Sequence, residues 1–212
     1  MNIISHRGYW SKGLKANSKE SLLFSLENGF GFESDVRDYC EKLVISHNIA
    51  DFSAIDIEEI FKLLNDFNDK YTFAINIKSD GLKFLLNSFL NKYNIHNYFL
   101  FDMSIPQMYE FSEMNFKYFT RQSDIETIPY FYKKAHGIWL DSFISTEWIT
   151  KDLIKKHLDA GKFVCIVSPE LHGNNNYKLL WDRVKKYNLN SEQIMLCTDY
   201  PEEARSFFYE KN

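Results

Sequence analysis

His6, Arg7, Glu33, Asp35, His47 and Lys78 stand out in the first eighty residues, because each falls at or just past a short apolar run. Glu33 and Asp35 are two positions apart. On a strand their carboxylates share one face. Two like charges on an inward face repel unless a cation lies between them. A hard, oxygen-preferring ion such as Mg²⁺ or Ca²⁺ is the natural partner. On a surface strand the same Glu-x-Asp pair would stand in water, so the pair alone does not decide. Polar groups recur after later apolar runs as well: Asn76 and Lys78, Asp102, Thr120-Arg121, Asp141, Ser168-Pro169-Glu170 and Thr198-Asp199.

The elements that must position these residues are legible as an alternation. Short apolar runs at 2–5, 31–35, 72–77, 98–101, 117–120, 137–140, 163–167 and 194–197 predict eight strands. Amphipathic stretches at 20–28, 57–64, 148–160, 177–187 and 201–209 predict helices, within seven or eight in all. Gly161 falls where a helix C-cap would, and Pro201 at a first turn. Strands alternating with helices imply a parallel sheet. Eight units in 212 residues, or roughly 26 residues each, predict an α/β chain folded as a small (β/α)8 TIM barrel, a single domain over 1–212. One strand fewer would give a doubly wound sheet instead. Segment 38–46 reads as an extra hairpin after the second strand, turning near Glu41-Lys42. In a barrel the strand ends converge on one face, where barrel active sites lie. His96 and His136 precede strands and belong to the opposite face. His157 is expected on the solvent side of its helix. His172, like His6 and His47, follows an apolar run.

Composition narrows the function. With 25 basic and 29 acidic residues the net charge is −4, which argues against a nucleic-acid partner. No apolar run is long enough for a transmembrane segment, and the start of the chain lacks the pattern of a signal peptide. Cys40, Cys165 and Cys197 are an odd number without metal-ligand spacing, which points to a reducing, cytoplasmic setting. The 36 aromatic residues are mostly at strand and helix-face positions and read as core; Tyr9 and Trp10, beside His6 and Arg7, read as pocket. Trp181 reads as packing. The oligomeric state is not legible.

His6-Arg7-Gly8 after the first strand, Glu33-Ser34-Asp35-Val36 after the second, and Val44-Ile45-Ser46-His47-Asn48 together resemble the glycerophosphodiester phosphodiesterase family, a (β/α)8 barrel related to phosphoinositide-specific phospholipases C. Asn17-Ser18, Ile75-Asn76-Ile77-Lys78 and Cys197-Thr198-Asp199-Tyr200-Pro201 resemble further motifs of that family. The resemblance implies that His6 and His47 are the acid/base pair. It implies that Glu33 and Asp35 hold a divalent metal, Mg²⁺ or Ca²⁺, and that Arg7 and Lys78 hold phosphate oxygens. The chemistry agrees, since phosphodiester cleavage deprotonates a nucleophile, protonates a leaving oxygen and builds negative charge on phosphorus oxygens. The implied function is a metal-dependent phosphodiesterase of lipid or glycerol metabolism, hydrolysing a small glycerophosphodiester to an alcohol and a phosphomonoester. Alternatives are a barrel that binds phosphorylated ligands without turnover, and a phosphodiester lyase or transferase.

Two departures from the family pattern bear on this. Asn76 stands where the family has a metal-binding Glu, so the site loses a charge, which Glu170 after the seventh strand is expected to restore. The long capping insertion after His47 is missing, because 49–56 leads directly to the helix at Ile57. The mouth should be open, with Trp10, Asn17, Arg121 and His172 lining the substrate pocket. The cluster around Arg121 also reads as a helix N-cap with charged neighbours.

Overall fold

A computed structural model describes residues 1–11, 13–189 and 191–209. In chain order the elements are β1 (Asn2–Ser5), α1 (Lys19–Glu27), β2 (Gly31–Tyr39), β3 (Lys42–Ile45), β4 (Ile55–Asp56), α2 (Ile57–Asp66), β5 (Phe73–Ile77), α3 (Lys83–Lys92), β6 (Tyr98–Phe101), α4 (Ile105–Glu113), β7 (Phe119–Gln122), β8 (Gly137–Leu140), α5 (Lys151–Asp159), β9 (Phe163–Val167), a 3-10 turn (Pro169–His172), α6 (Tyr177–Tyr187), β10 (Ile194–Thr198) and α7 (Pro201–Tyr209). The eight expected strands are all present, four of them with the expected bounds. The chain forms two compact units, a first from Ser5 to Tyr118 and a second from Phe119 onward that also takes Met1–Ile4.

In the first unit the strand order is β4-β3-β2-β5-β6. β2 and β5 run parallel with Asp35 opposite Asn76, and β5 and β6 run parallel with Asn76 opposite Phe101. β2 continues past Asp35 into an antiparallel hairpin with β3, Tyr39 facing Lys42. Cys40 and Glu41 make the turn with φ of 47° and 63°, the positive pair that a tight hairpin turn needs. The expected hairpin is therefore present, turning one residue before Glu41-Lys42. β4 adds a short third antiparallel strand. Every residue of β5 is buried, which is why its sequence reads as a continuous apolar run broken only by Asn76. Phe32 and Phe73 pack at 4.8 Å between ring centroids, and Phe61 stacks on Phe89 at 5.7 Å. α1 starts on Ser18, whose hydroxyl accepts from the Ser21 N–H, and α2 starts on Asp56 in the same manner with Glu58.

In the second unit β10, β9, β8 and β7 lie side by side in parallel. Trp181 of α6 is fully buried, and its indole N–H donates to Ser168 Oγ at 2.8 Å. Gly137 on β8 faces the Phe119 ring so closely that an added Cβ would come within 2.5 Å of it. No helix follows β7: Ser123 caps a turn by accepting from the Ile125 and Glu126 N–H groups, so the expected helix N-cap is a turn cap. His157 corrects the expectation of a solvent-facing histidine. It is 2% exposed, accepts from Tyr132 Oη at 2.9 Å on Nδ1 and donates from Nε2 to Gln122 Oε1 at 3.0 Å.

Candidate active site

The first unit gathers the leading candidates around the end of β2. His6, Arg7 and Gly8 leave β1 on a sharp turn. Arg7 has φ of 54° and Gly8 of 84°, and a Cβ at Gly8 would lie 2.6 Å from Ser21 Oγ. Only glycine lets the backbone pass this close to α1, and the turn brings the Arg7 N–H to Glu33 Oε2 at 3.0 Å. His6 Nε2 stands 3.9 Å from the same oxygen. The Trp10 indole N–H donates to the His6 carbonyl at 3.0 Å and holds that turn from behind.

Asp35 is the hub. Arg7 Nε lies 3.2 Å from its Oδ2, Lys78 Nζ 3.1 Å from its Oδ1, and His47 Nδ1 3.2 Å from its Oδ1. Asn17 Nδ2 donates to Oδ2 at 2.8 Å. Burial opposes the charge of Asp35, but Lys78, the Asn17 hydrogen bond, Arg7 and His47 outweigh it and hold the carboxyl below its ordinary range. Glu33 goes the other way. Burial, with the charge of Asp35 adding, pushes it up to about 7. His47 also has Arg7 Nη2 2.9 Å from Nδ1. The same nitrogen thus faces both the Arg7 guanidinium and the Asp35 carboxylate.

Three side-chain oxygens bear on a cation. Glu33 Oε1, Asp35 Oδ1 and Asn76 Oδ1 are buried without a hydrogen bond, although Lys78 and His47 stand at ion-pair distance from the second. Asp35 and Asn76 are register partners on neighbouring strands. Buried acceptors are normally satisfied, and unsatisfied oxygens of two carboxylates and an amide fit a hard cation. Among the described residues no group of three or more His, Cys, Asp or Glu side chains is arranged for a metal.

A cleft of about 450 Å³ opens beside this cluster, lined by Arg7, Lys15, Asn17, His47, Asn48 and Ile49 among others. Lys15 and Asn48 were not singled out from the sequence, nor was Ser34 as a partner of Asn17. Ser34 Oγ donates to Asn17 Oδ1 at 2.7 Å and so turns the amide's NH₂ toward Asp35. The Ser-Asp adjacency on β2 was the available signal. Tyr9 corrects the expectation of a pocket residue. It is 5% exposed and stacks on Phe24 at 4.9 Å, in the core.

Arg121, Glu170 and His172 lie in the second unit, each with partners there. Arg121 Nε pairs with Glu126 at 2.8 Å, and His172 Nε2 with Asp141 at 2.6 Å. Glu170 accepts from the Ser168 and Thr198 hydroxyls and from the Asp199 N–H, and burial raises its pKa against those bonds.

No protein-family model matches the chain, and no curated protein does. Solved structures match over nearly the whole length. A glycerophosphodiester phosphodiesterase from Parabacteroides distasonis superposes with a TM-score of 0.69 at 15% identity, covering 98% of this chain and 96% of its own. One from Agrobacterium tumefaciens gives 0.67 at 14%, covering 97% and 99%. A glycerophosphoryl diester phosphodiesterase, also from Parabacteroides distasonis, gives 0.72 at 14%, covering 97% and 85%. The chain thus has the α/β, (β/α)8-barrel fold expected from its alternation. That fold is the one these glycerophosphodiester phosphodiesterases carry.

Proposed function

We propose that the chain is a metal-dependent phosphodiesterase that hydrolyses a small glycerophosphodiester to an alcohol and a phosphomonoester. The observation that carries this reading is the cluster itself: two imidazoles and two basic side chains around a buried carboxylate pair with unsatisfied oxygens. Glu33, Asp35 and Asn76 hold Mg²⁺ or Ca²⁺, which when bound supplies positive charge to the phosphate oxygens. Arg7 and Lys78 bind the remaining oxygens, Arg7 with its planar fork and Lys78 as a point charge. One imidazole of the His6 and His47 pair takes the proton from the attacking water. The other gives a proton to the leaving alcohol oxygen as its bond to phosphorus breaks. Within the first unit, Asn17 lines the substrate cleft and Trp10 braces the turn that carries His6. Free cysteines, two of them buried, support a reducing, cytoplasmic setting.

Asn76 favours a second reading, a barrel that binds phosphorylated ligands without turnover, because the amide brings no charge to the cation. Release of phosphomonoester from a panel of glycerophosphodiesters, with Mg²⁺, Ca²⁺ or chelator, tests the choice. Turnover that chelator abolishes supports the enzyme; ligand binding with no turnover on any substrate supports the binding protein. Product formed without oxygen from labelled water would mark a lyase or transferase.

A further inference from the structure

The loop 46–54 follows β3 and carries His47 at its start. Its tip is built firmly. The Asn48 carbonyl accepts from Ser46 Oγ at 3.0 Å and from Arg37 Nη1 at 2.6 Å. Asp51 Oδ1 accepts from the Ser53 N–H at 2.8 Å and from Ser53 Oγ at 2.6 Å, and the Ala54 N–H donates to the Asp51 carbonyl at 3.1 Å. What this tip shows to water is apolar: Ile49 is 89% exposed and Phe52 92%. Ile49 also lines the cleft that holds Arg7, Lys15 and His47.

A side chain of this size left in water forgoes the gain that burial would bring. A pinned loop cannot hide it by folding over. Apolar side chains held at the rim of a polar, basic cleft match a ligand with one anionic end and one greasy end. The second unit, taken by itself, repeats the construction. Asp124 accepts from the N–H groups of Phe143, Ile144 and Ser145 at 3.0, 2.7 and 2.7 Å, and displays Ile144 at 80% exposure. No helix among the described residues is long and apolar enough to cross a membrane, so contact through such tips would be peripheral.

We infer that the 46–54 loop dips into a lipid aggregate, and that the phosphodiester of the neighbouring cleft is a single-chain glycerophospholipid presented by it. The inference rests on the phosphodiesterase reading and names its substrate. The phosphate lies against Arg7 and Lys78. The acyl chain leaves along Ile49, and Phe52 enters the lipid beside it. Water's oxygen bonds to phosphorus, one phosphorus–oxygen ester bond breaks, and the released alcohol takes up the proton.

The test compares phosphomonoester release from a long-chain acyl-glycerophosphocholine, below and above its micelle-forming concentration, with release from deacylated glycerophosphocholine. The wild-type chain should prefer micelles by about tenfold or more. Phe52→Asp should lose about tenfold or more on micelles and stay within about twofold on the deacylated diester. Phe52→Trp should shift its emission to the blue with phosphatidylcholine vesicles. Equal rates on the two substrates, parallel loss in Phe52→Asp, or an emission spectrum of Phe52→Trp that vesicles leave unshifted overturns the inference. Hydrolysis of neither substrate overturns the assigned lipid, whereas the phosphodiesterase reading falls only when no diester of the wider panel is hydrolysed.

Discussion

Asp35 and Glu33 sit two residues apart on one strand, and their surroundings push their pKa values in opposite directions. Four donors crowd Asp35, whereas Glu33 receives one backbone N–H at 3.0 Å and a distant imidazole. A cation between them would relieve both the repulsion and the unsatisfied oxygens. If Asn76 limits that cation through its missing charge, Asn76→Asp should tighten Mg²⁺ or Ca²⁺ by about tenfold or more in calorimetric titration. In chelator the same variant should melt lower, because a third buried carboxylate has nothing to offset it. At the histidines, His6→Ala and His47→Ala should each lower kcat by about 10²- to 10⁴-fold, measured on the best diester found. A loss confined to KM would assign them to binding instead.

Among the elements, the strands show where local sequence suffices and where it does not. β5 reads as buried because it is apolar throughout, and it is. α5 misleads. A histidine between Lys156 and Leu158 looks solvated, yet the helix turns it inward, where Tyr132 and Gln122 satisfy both ring nitrogens. Burial, with Lys156 adding, pushes His157 down to about 4. Its ordinary value is about 6.5, so between those values the unfolded chain takes a proton that the folded ring refuses. Stability is therefore lost as pH falls from about 6.5, and the loss is complete below about 4. His157→Gln should flatten the dependence of Tm on pH across that window, as read by calorimetry from pH 7 to 4.5.

For the whole molecule, the 36 aromatic residues are mainly core: Phe32, Phe61, Phe73, Phe99, Phe101, Phe111 and Trp181 are all under 3% exposed. After His47 a short loop leads through β4 to α2. A bound divalent ion should stabilise the chain as a whole. At about a hundredfold above Kd the linkage is about 2.7 kcal/mol, or a rise in Tm of roughly 5–10 °C for a chain of this length. A Tm unchanged by both Mg²⁺ and Ca²⁺ would remove the metal from the proposed site.

The sequence by itself determined the alternation of strands and helices, because each buried parallel strand must be apolar and each covering helix must be amphipathic. It also determined the residues that cluster at the end of β2, because their positions relative to strand ends are local. It did not determine which polar side chains face one another. Tyr9 and Trp10 are neighbours in the chain, yet one stacks in the core and the other braces His6. Ser34, Asn17 and Asp35 become one hydrogen-bonded chain only when α1's approach meets β2. Glu170 acquires its three donors from Ser168, just past β9, from Thr198 at the end of β10, and from the backbone of Asp199. Such pairings join groups distant in sequence, and a hydrogen bond depends on tenths of an ångström and on direction. Those quantities exist only after the chain has packed.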